Sequence, residues 1–207
     1  MAVNKIHDHR ENRSKQNTWD EKTAEWYTAE YGEHISNNLT IDNIDLGLED
    51  IVLDIGCGSG KAARLAAKIC TNGKVIGIDP SAAMIRISNN NPDGKLINLK
   101  FKRDCAEKIP VANKYFTKVI AINSLHHWQD YKKGLMEVSR VLRPGGSFLI
   151  ANDIVDGDTC GHGDGPLEKP EHIISIIGKT GFINISMEKY YNEETGIYLF
   201  SSKKNLV

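Results

Sequence analysis

Three glycines at alternate positions, directly after a short apolar strand, constrain this chain more than any other feature of its sequence. Residues 51–55 form an apolar run interrupted only by Asp54, and the run is followed by Gly56, Gly58 and Gly60. The residues after the last glycine have the composition of a helix. Glycine permits positive φ angles and lets a ligand lie against the backbone, and the start of a helix offers N–H groups that suit an anion. This order predicts the first βα unit of a doubly wound sheet.

Strand and helix patterns alternate along the rest of the chain, which predicts an α/β fold with a parallel sheet. Further strands are predicted over residues 73–79, 96–102, 115–123, 147–152, 181–187 and 195–202. Further helices are predicted over residues 82–90, 131–142 and 170–178, the second with an apolar stripe of Leu135, Met136, Val138, Val141 and Leu142. Before the first strand, an aromatic-rich stretch predicts two helical pieces, one capped by Thr18 with Glu21 and one over residues 33–44.

The length and the net charge of the chain limit the kinds of function that it can have. The 207 residues fit one domain, so we expect residues 17–207 to fold together and the polar residues 1–16 to be disordered or loosely attached. A net charge of -1 gives no bulk attraction to nucleic acid or to an anionic membrane. No apolar run approaches the ~20 residues of a membrane span, and no secretory signal is evident. The four cysteines are scattered along the sequence, which is consistent with reduced thiols rather than disulfides, so we expect a cytoplasmic protein.

The glycine spacing, G-x-G-x-G after an acid inside the strand, differs from the G-x-G-x-x-G of dinucleotide-binding folds. It resembles motif I of the class I S-adenosylmethionine-dependent methyltransferases, and residues 141–150 resemble that family's motif before and into its fifth strand. The resemblance is to the small, ubiquinone-biosynthesis-like members. It implies a Rossmann-like three-layer sandwich whose seven-stranded sheet is mostly parallel, with the last strand antiparallel. It also implies S-adenosyl-L-methionine as cofactor. The helical pieces at residues 17–46 are then expected to cap the cofactor cleft; alternatively, their aromatic side chains only pack the segment onto the sheet.

Three acids are the main candidates for holding that cofactor. Asp79 ends the second strand about 20 residues after the glycine turn, where a carboxylate meets ribose hydroxyls; alternatively, it caps the next helix. The resemblance implies that Asp54 orients the methionine ammonium and that Asp104 reads the adenine, although Asp104 also fits a turn. Tyr27 and Met84 fit core packing as well as cofactor contact. The predicted cofactor-binding residues are Tyr27, Asp54, Gly56, Cys57, Gly58, Gly60, Asp79, Pro80, Met84, Asp104, Cys105, Ala106 and Asn123.

His126 and His127 follow the fourth strand, at the edge where open α/β sheets bind ligands. An imidazole there suits a catalytic base for a hydroxyl, thiol or amine; alternatively, the pair holds its own loop. Two histidines without a third ligand predict no metal site. Residues 153–168, rich in glycine and acids, predict either an acceptor-binding lid or a plain surface loop.

The function predicted from these patterns is direct displacement of a methyl group onto a small-molecule acceptor. The residues after the fourth strand, 123–126, do not match a base-methylating motif, which argues against an adenine-amine target. Two alternatives remain at this point: a module that binds the cofactor without turnover, and a nicotinamide-dependent oxidoreductase. The sequence leaves the acceptor and the oligomeric state open.

Overall fold

The structure is a computed structural model that describes residues 19–32, 34–92, 95–155, 159–160, 167, 169–193 and 195–206. Its helices are α1 (Glu21–Tyr31), α2 (Ser36–Asp42), α3 (Lys61–Ile69), α4 (Ala82–Asn90), α5 (Tyr131–Val141) and α6 (Pro170–Lys179). Its strands are β1 (Ile51–Ile55), β2 (Lys74–Asp79), β3 (Leu99–Arg103), β4 (Phe116–Ile122), β5 (Leu142–Val155), β6 (Thr159–Cys160), β7 (Phe182–Tyr191) and β8 (Gly196–Lys204).

The strands form one sheet in the order β3-β2-β1-β4-β5-β8-β7, and the short β6 pairs with β5 outside this path. The last strand, β8, is antiparallel to both of its neighbours, β5 and β7. The pairs from β3 to β5 are all parallel. This arrangement confirms the predicted Rossmann-like sheet. Because parallel strands end at one edge, the turn after β1 lies between the carboxyl ends of β2 and β4.

Apolar side chains fill both faces of the sheet, which makes the fold a three-layer sandwich. Along β1, Leu53 points into the cluster shared with α5 and α6, whereas Val52 points into the cluster shared with α2 and α3. Both side chains are fully buried, as expected for a central parallel strand covered on both faces. Removing this apolar area from water is the main force that holds the helices on the sheet.

The N-terminal segment is fastened to the carboxyl edge of the sheet by two buried serines. The Ser59 hydroxyl donates to the Gly32 carbonyl at 2.9 Å, and the Ser81 hydroxyl donates to the Trp19 carbonyl at 2.9 Å. Helix α1 also packs against α4 through an apolar cluster that includes Met84. These contacts hold the first described residues beside the ends of β1 and β2.

Some local predictions need correction. Met136 was expected in the buried stripe of α5, but 60% of it is exposed, because it lies about 100° around the helix from the buried Leu135. The third strand begins at Leu99, three residues later than predicted. Helix α1 has Asp20 as its N-cap, and the Asp20 side chain accepts the Thr23 amide at 2.8 Å.

Helix α2 covers Ser36–Asp42, which is shorter than the predicted span of 33–44. Because Asp20 is the N-cap of α1, the prediction that Thr18 caps this helix is wrong. Residues 1–16 and most of residues 153–168 lie outside the described residues, so the predictions made for them stay predictions. Across the part of the chain that the structure describes, no helix combines the length and apolar character needed to cross a membrane.

Candidate active site

A cavity of about 440 Å³ lies at the carboxyl edge of the sheet, beside the glycine turn. This volume falls within the ~300–1,000 Å³ typical of small-molecule sites. The wall is formed by the turn after β1, the segments that follow β2, β3 and β4, and the N-terminal segment. The predicted site residues on this wall are Tyr27, Gly56, Gly58, Asp79, Pro80, Met84, Asp104, Cys105, Ala106, Asn123 and His127.

Four predicted site residues lie behind the wall rather than on it: Asp54, Cys57, Gly60 and His126. The Cys57 amide donates a hydrogen bond to the Ile78 carbonyl at 3.0 Å, so this amide is used within the protein and does not face the cavity. A Cβ atom at Gly60 would meet the Phe101 ring at 2.5 Å, so this glycine faces packed side chains. Their predicted contacts with a ligand stay predictions.

The three glycines of the turn serve different purposes. All three have positive φ angles, of 73°, 52° and 88° in chain order. A Cβ atom at Gly56 would meet the Ser124 Cβ atom at 2.5 Å, so this position needs glycine for packing. At Gly58 a Cβ atom would meet nothing within 4 Å. Gly58 is therefore the glycine whose backbone lies open to the cavity, where a ligand can approach it closely.

Asp79 connects the glycine turn with the start of α4. Its Oδ2 atom accepts the Gly58 amide at 3.1 Å, and its Oδ1 atom accepts the Ser81 amide at 2.8 Å. Burial raises the pKa of Asp79 to about 6, although these two amides oppose the shift. The N-cap of α4 is Ser81, whose hydroxyl accepts the Met84 amide at 3.3 Å. Each carboxylate oxygen retains a second lone pair, which suits a pair of hydroxyl donors.

Asp54 lies beneath the glycine turn and is almost fully buried. Burial raises its pKa to about 7, the negative charge of Asp79 adds to the shift, and a hydrogen bond from the Ala63 amide opposes it. The Asp54 Oδ2 atom is buried and has no hydrogen-bond partner among the described residues. Two carboxyl groups therefore make this end of the cavity favourable for a cation.

The loop after β3 forms the far wall. The Asp104 amide donates to the Asp79 carbonyl at 3.2 Å, which fixes the ends of β2 and β3 together. Burial raises the pKa of Asp104, and Lys102 and Lys108 oppose the shift. Cys105 and Ala106 continue this wall toward Lys108.

Arg140 supports that loop from α5, a role that sequence reasoning missed. Its guanidinium donates to the Ile109 carbonyl at 2.7 Å and to the Val111 carbonyl at 2.8 Å. It also forms a two-pronged pair with Glu137 at 2.7 and 2.8 Å. Glu137 in turn accepts the Ile109 amide at 2.8 Å. In the sequence, this role is indicated only by an acid and a base three residues apart on a predicted helix. Such a pair usually lies on the protein surface.

The segment after β4 turns sharply into the cavity wall. Asn123 has a φ of 48°, a conformation that asparagine adopts more readily than most residues. Its Oδ1 atom accepts the Asp153 amide at 2.9 Å, so it joins the ends of β4 and β5. His127 contributes to the wall, and its ring centroid lies 4.1 Å from that of His126. The structure thus separates the two histidines that the sequence left equivalent.

Other residues at the cavity were not predicted. Trp19 and Trp128 line it, and the Trp19 ring lies 4.3 Å from the Tyr27 ring. Arg64 is buried beside the turn and donates to the Ser59 carbonyl at 2.6 Å. Within the described residues, no three His, Cys, Asp or Glu side chains are grouped to hold a metal ion.

Comparison with known proteins gives matches in sequence. Residues 52–146 match the family described as Methyltransferase domain. A curated relative, Methyltransferase GfsG of Streptomyces halstedii, is 34% identical over 132 residues, which are 62% of this chain and 46% of the relative. The chain spans about half the length of the curated relatives that it matches first.

Solved structures give matches in fold. A methyltransferase from Aquifex aeolicus, described as SAM dependent, has a TM-score of 0.71 at 17% identity, with 90% of this chain and all of that chain covered (100%). A Haemonchus contortus phosphoethanolamine N-methyltransferase, solved with phosphomonomethylethanolamine and S-adenosylhomocysteine, has a TM-score of 0.72 at 18% identity. That alignment covers 90% of this chain and 58% of the neighbour. At these identities the likeness concerns the fold.

Proposed function

We propose that this chain is a class I S-adenosylmethionine-dependent methyltransferase and that it transfers a methyl group from that cofactor to a small-molecule acceptor. The observation that carries the proposal is the pairing of Gly58 with Asp79 at the cavity. The Gly58 backbone, which a ligand can approach closely, donates a hydrogen bond to the buried carboxylate of Asp79.

The residues present fit an adenosyl sulfonium in size, charge and hydrogen bonding. In this assignment Gly58 admits the methionyl part, and Asp79 accepts bonds from the ribose hydroxyls. Asp104, with the backbone of Cys105, reads the adenine edge. The buried carboxyls of Asp54 and Asp79 favour the positive charge of the ligand, because an opposite charge compensates their removal from water.

When bound, the cofactor supplies an activated methyl group on a positively charged leaving group. The chain therefore needs few reactive side chains, and its main contribution is to hold the acceptor in line with the methyl group. Asn123 and His127 lie after β4, on the same cavity wall as the glycine turn. We assign His127 to contact with the acceptor, as a base for an acidic proton or as a positioning group.

A small acceptor suits the dimensions of this site. Trp19 and Tyr27 line the cavity from the N-terminal side, and its volume of about 440 Å³ is in the range of small-molecule sites. The fold neighbour from Haemonchus contortus was solved with a small phosphorylated amine, which agrees with a small acceptor for this fold.

Cofactor binding is tested by calorimetry with S-adenosylhomocysteine and with NAD. We expect heat of binding from S-adenosylhomocysteine and none from NAD. The reverse result would favour the oxidoreductase alternative, whose G-x-G-x-x-G spacing the chain lacks.

Turnover is tested with a methyl-labelled donor and a small-molecule extract, comparing wild type with His127→Ala and His126→Ala. We expect labelled product from wild type, and a larger loss of rate in His127→Ala because only His127 lies on the cavity wall. Binding of S-adenosylhomocysteine without any labelled product would instead identify a silent cofactor-binding module.

A further inference from the structure

The loop after β3 and the segment after β4 are two parts of the same cavity wall. The loop contributes residues 104–108 to the wall, and the segment contributes residues 123–124 and 127–129. In the proposed function, the loop reads the adenine of the methyl donor, and the segment carries His127, which contacts the acceptor. The position of one part relative to the other therefore decides how donor and acceptor are aligned.

Glu107 joins these two parts of the wall by a hydrogen bond. Its side chain lines the cavity, and its Oε1 atom accepts the backbone amide of Asp130 at 3.1 Å. Asp130 is the N-cap of α5, the helix that begins directly after the β4 segment. Because Asp130 lies three positions after His127, this bond fixes the loop after β3 to the segment that carries His127.

Packing against α5 brings the same two parts of the wall together. A Cβ atom at Gly134 would meet the Trp128 Cε3 atom at 2.4 Å and the Ala106 Cβ atom at 3.2 Å. Trp128 and Ala106, which both line the cavity, therefore both lie against this glycine. Apolar packing has no direction, whereas a hydrogen bond also fixes the orientation of the groups that it joins. The bond to Glu107 therefore defines the alignment within this contact.

The loop makes a tight turn around Glu107. The Lys108 amide donates to the Cys105 carbonyl at 3.3 Å, which closes the turn. Burial and a hydrogen bond with the Glu107 side chain raise the pKa of the Cys105 thiol, as expected for a neutral thiol that donates to a carboxylate. The Glu107 carboxylate thus links Cys105 within the loop to Asp130 beyond it.

We propose that Glu107 is a positioning residue for methyl transfer, which holds the adenine-reading loop and the His127 segment in a fixed relative position. The proposal rests on the proposed function, which assigns the donor to the first of these parts and the acceptor to the second. Glu107 acts through the reach of its side chain and its acceptor oxygens. A side chain of the same length that accepts the Asp130 amide should therefore replace it, and a shorter carboxylate should not.

The first test measures S-adenosylhomocysteine binding by calorimetry in Glu107→Gln and Glu107→Asp. Glutamine keeps an acceptor oxygen at the same reach, whereas aspartate keeps the negative charge on a side chain one methylene group shorter. We expect Glu107→Asp to raise the Kd at least fivefold and Glu107→Gln to stay within twofold of wild type. A loss in Glu107→Gln alone would show that the charge contacts the ligand, and it would overturn the positioning role. Equal affinities in the two variants would also overturn it.

The second test measures the rate of methyl transfer at saturating S-adenosylmethionine. The readout is label transferred from a methyl-labelled donor into a small-molecule extract. We expect Glu107→Asp to lower this rate at least fivefold, because the His127 segment is misplaced even when the donor site is full. Glu107→Gln should retain more than half of the rate. A weaker Kd in Glu107→Asp with an unchanged saturated rate would show that Glu107 serves the donor alone, which overturns the link between the two parts of the wall.

Glu49→Asp is the matched control for both tests. It shortens an exposed glutamate just before β1, at the opposite edge of the sheet from the cavity, and it should change neither quantity. Urea titration checks that every variant is folded under the conditions of measurement. A wild-type chain that binds no S-adenosylhomocysteine, or labels no product, would reject the proposed function, and the positioning role with it. A wild-type chain that does both, with a Glu107→Asp variant that matches it, would reject the positioning role alone.

Discussion

The Asp79 carboxylate accepts the Gly58 amide at 3.1 Å, so the end of β2 fixes the backbone of the turn after β1. These residues are 21 positions apart: Gly58 lies in the turn after β1, and Asp79 ends β2, the strand that pairs with β1. A second carboxylate oxygen binds the Ser81 amide at 2.8 Å, which orients the group from the α4 side. The carboxylate is held rigidly before any ligand arrives, and such preorganisation lowers the entropy lost on binding.

Replacing Asp79 by asparagine should weaken S-adenosylhomocysteine binding at least tenfold. The amide nitrogen of asparagine cannot accept a hydrogen bond, so one of the two backbone amides loses its acceptor, and the negative charge is also lost. Asp130→Asn is the matched control, because the Asp130 side chain also accepts a backbone amide, that of Lys133 at 3.0 Å, and Asp130 is not among the residues that line the cavity. Calorimetry measures both variants. Equal affinities would show that Asp79 does not contact the ligand.

A methyl group at Gly58 should block the cofactor without unfolding the chain. Gly58→Ala places its Cβ atom in open space, whereas alanine at Gly56 would meet Ser124 at 2.5 Å. We expect the Kd of S-adenosylhomocysteine to rise at least tenfold. The cost of a positive φ angle in alanine is on the order of 1 kcal/mol.

Gly181→Ala separates that strain from the loss of contact. Gly181 also has a positive φ angle, of 86°, and a Cβ atom there would meet nothing within 4 Å. Both variants should lose similar free energy of unfolding, measured by urea titration, but only Gly58→Ala should lose cofactor affinity. If Gly58→Ala binds as tightly as Gly181→Ala, the ligand does not lie against this turn.

The local patterns of the chain predicted the sheet and the acids at its carboxyl edge. β1 has the predicted bounds and α3 begins directly after the third glycine, as predicted, because a strand, a glycine turn and a helix start are each encoded by adjacent residues. Asp79 was singled out by its distance from the glycine turn. The interpretation of Met136 failed because an apolar residue next to a buried stripe looks the same in sequence whether or not it is covered.

Contacts between distant segments escaped sequence reasoning. Trp19 reaches the cavity because Ser81, 62 positions later, donates to its carbonyl, and no local pattern encodes that bond. The difference between His126 and His127 depends on the direction of a single 3-10 turn, Leu125–His127. Such turns are too short to leave a periodic signal.

Arg140→Lys should destabilise the fold by about 2 kcal/mol, because lysine cannot reproduce a two-pronged pair and two carbonyl contacts. The guanidinium binds Glu137 and two carbonyls of the loop after β3. Since this loop carries Asp104, S-adenosylhomocysteine binding should also weaken several-fold. Urea titration and calorimetry measure the two effects.

Arg86→Lys provides the comparison for that variant. Arg86 pairs with Glu21, and both side chains are largely exposed, at 44% and 60%. Exposed pairs contribute about 0–1 kcal/mol, so this change should cost less than about 0.5 kcal/mol. Equal costs at Arg86 and Arg140 would contradict a structural role for the Arg140 contacts.

The buried Asp54 should make the ligand-free protein less stable as the pH rises. Its pKa is about 7 in the folded protein and 3.8 in a free side chain, so folding takes up a proton between these values. The free energy of unfolding should therefore fall between about pH 4 and pH 7, by on the order of 3 kcal/mol for this group. Below pH 4 the carboxyl is protonated in both states, and the slope from this group disappears.

Asp54→Asn removes the titrating group while keeping one acceptor for the Ala63 amide, which contributes to the pKa of Asp54. Urea titrations at pH 5, 6 and 7 should show a flatter pH dependence in Asp54→Asn than in wild type, by up to about 1 kcal/mol per pH unit. The Asp45→Asn variant should keep the wild-type slope, because it changes a fully exposed side chain and leaves Asp54 in place. Parallel curves for wild type and Asp54→Asn would mean that Asp54 is ionised in the folded chain, with water or a counter-ion at its Oδ2 atom.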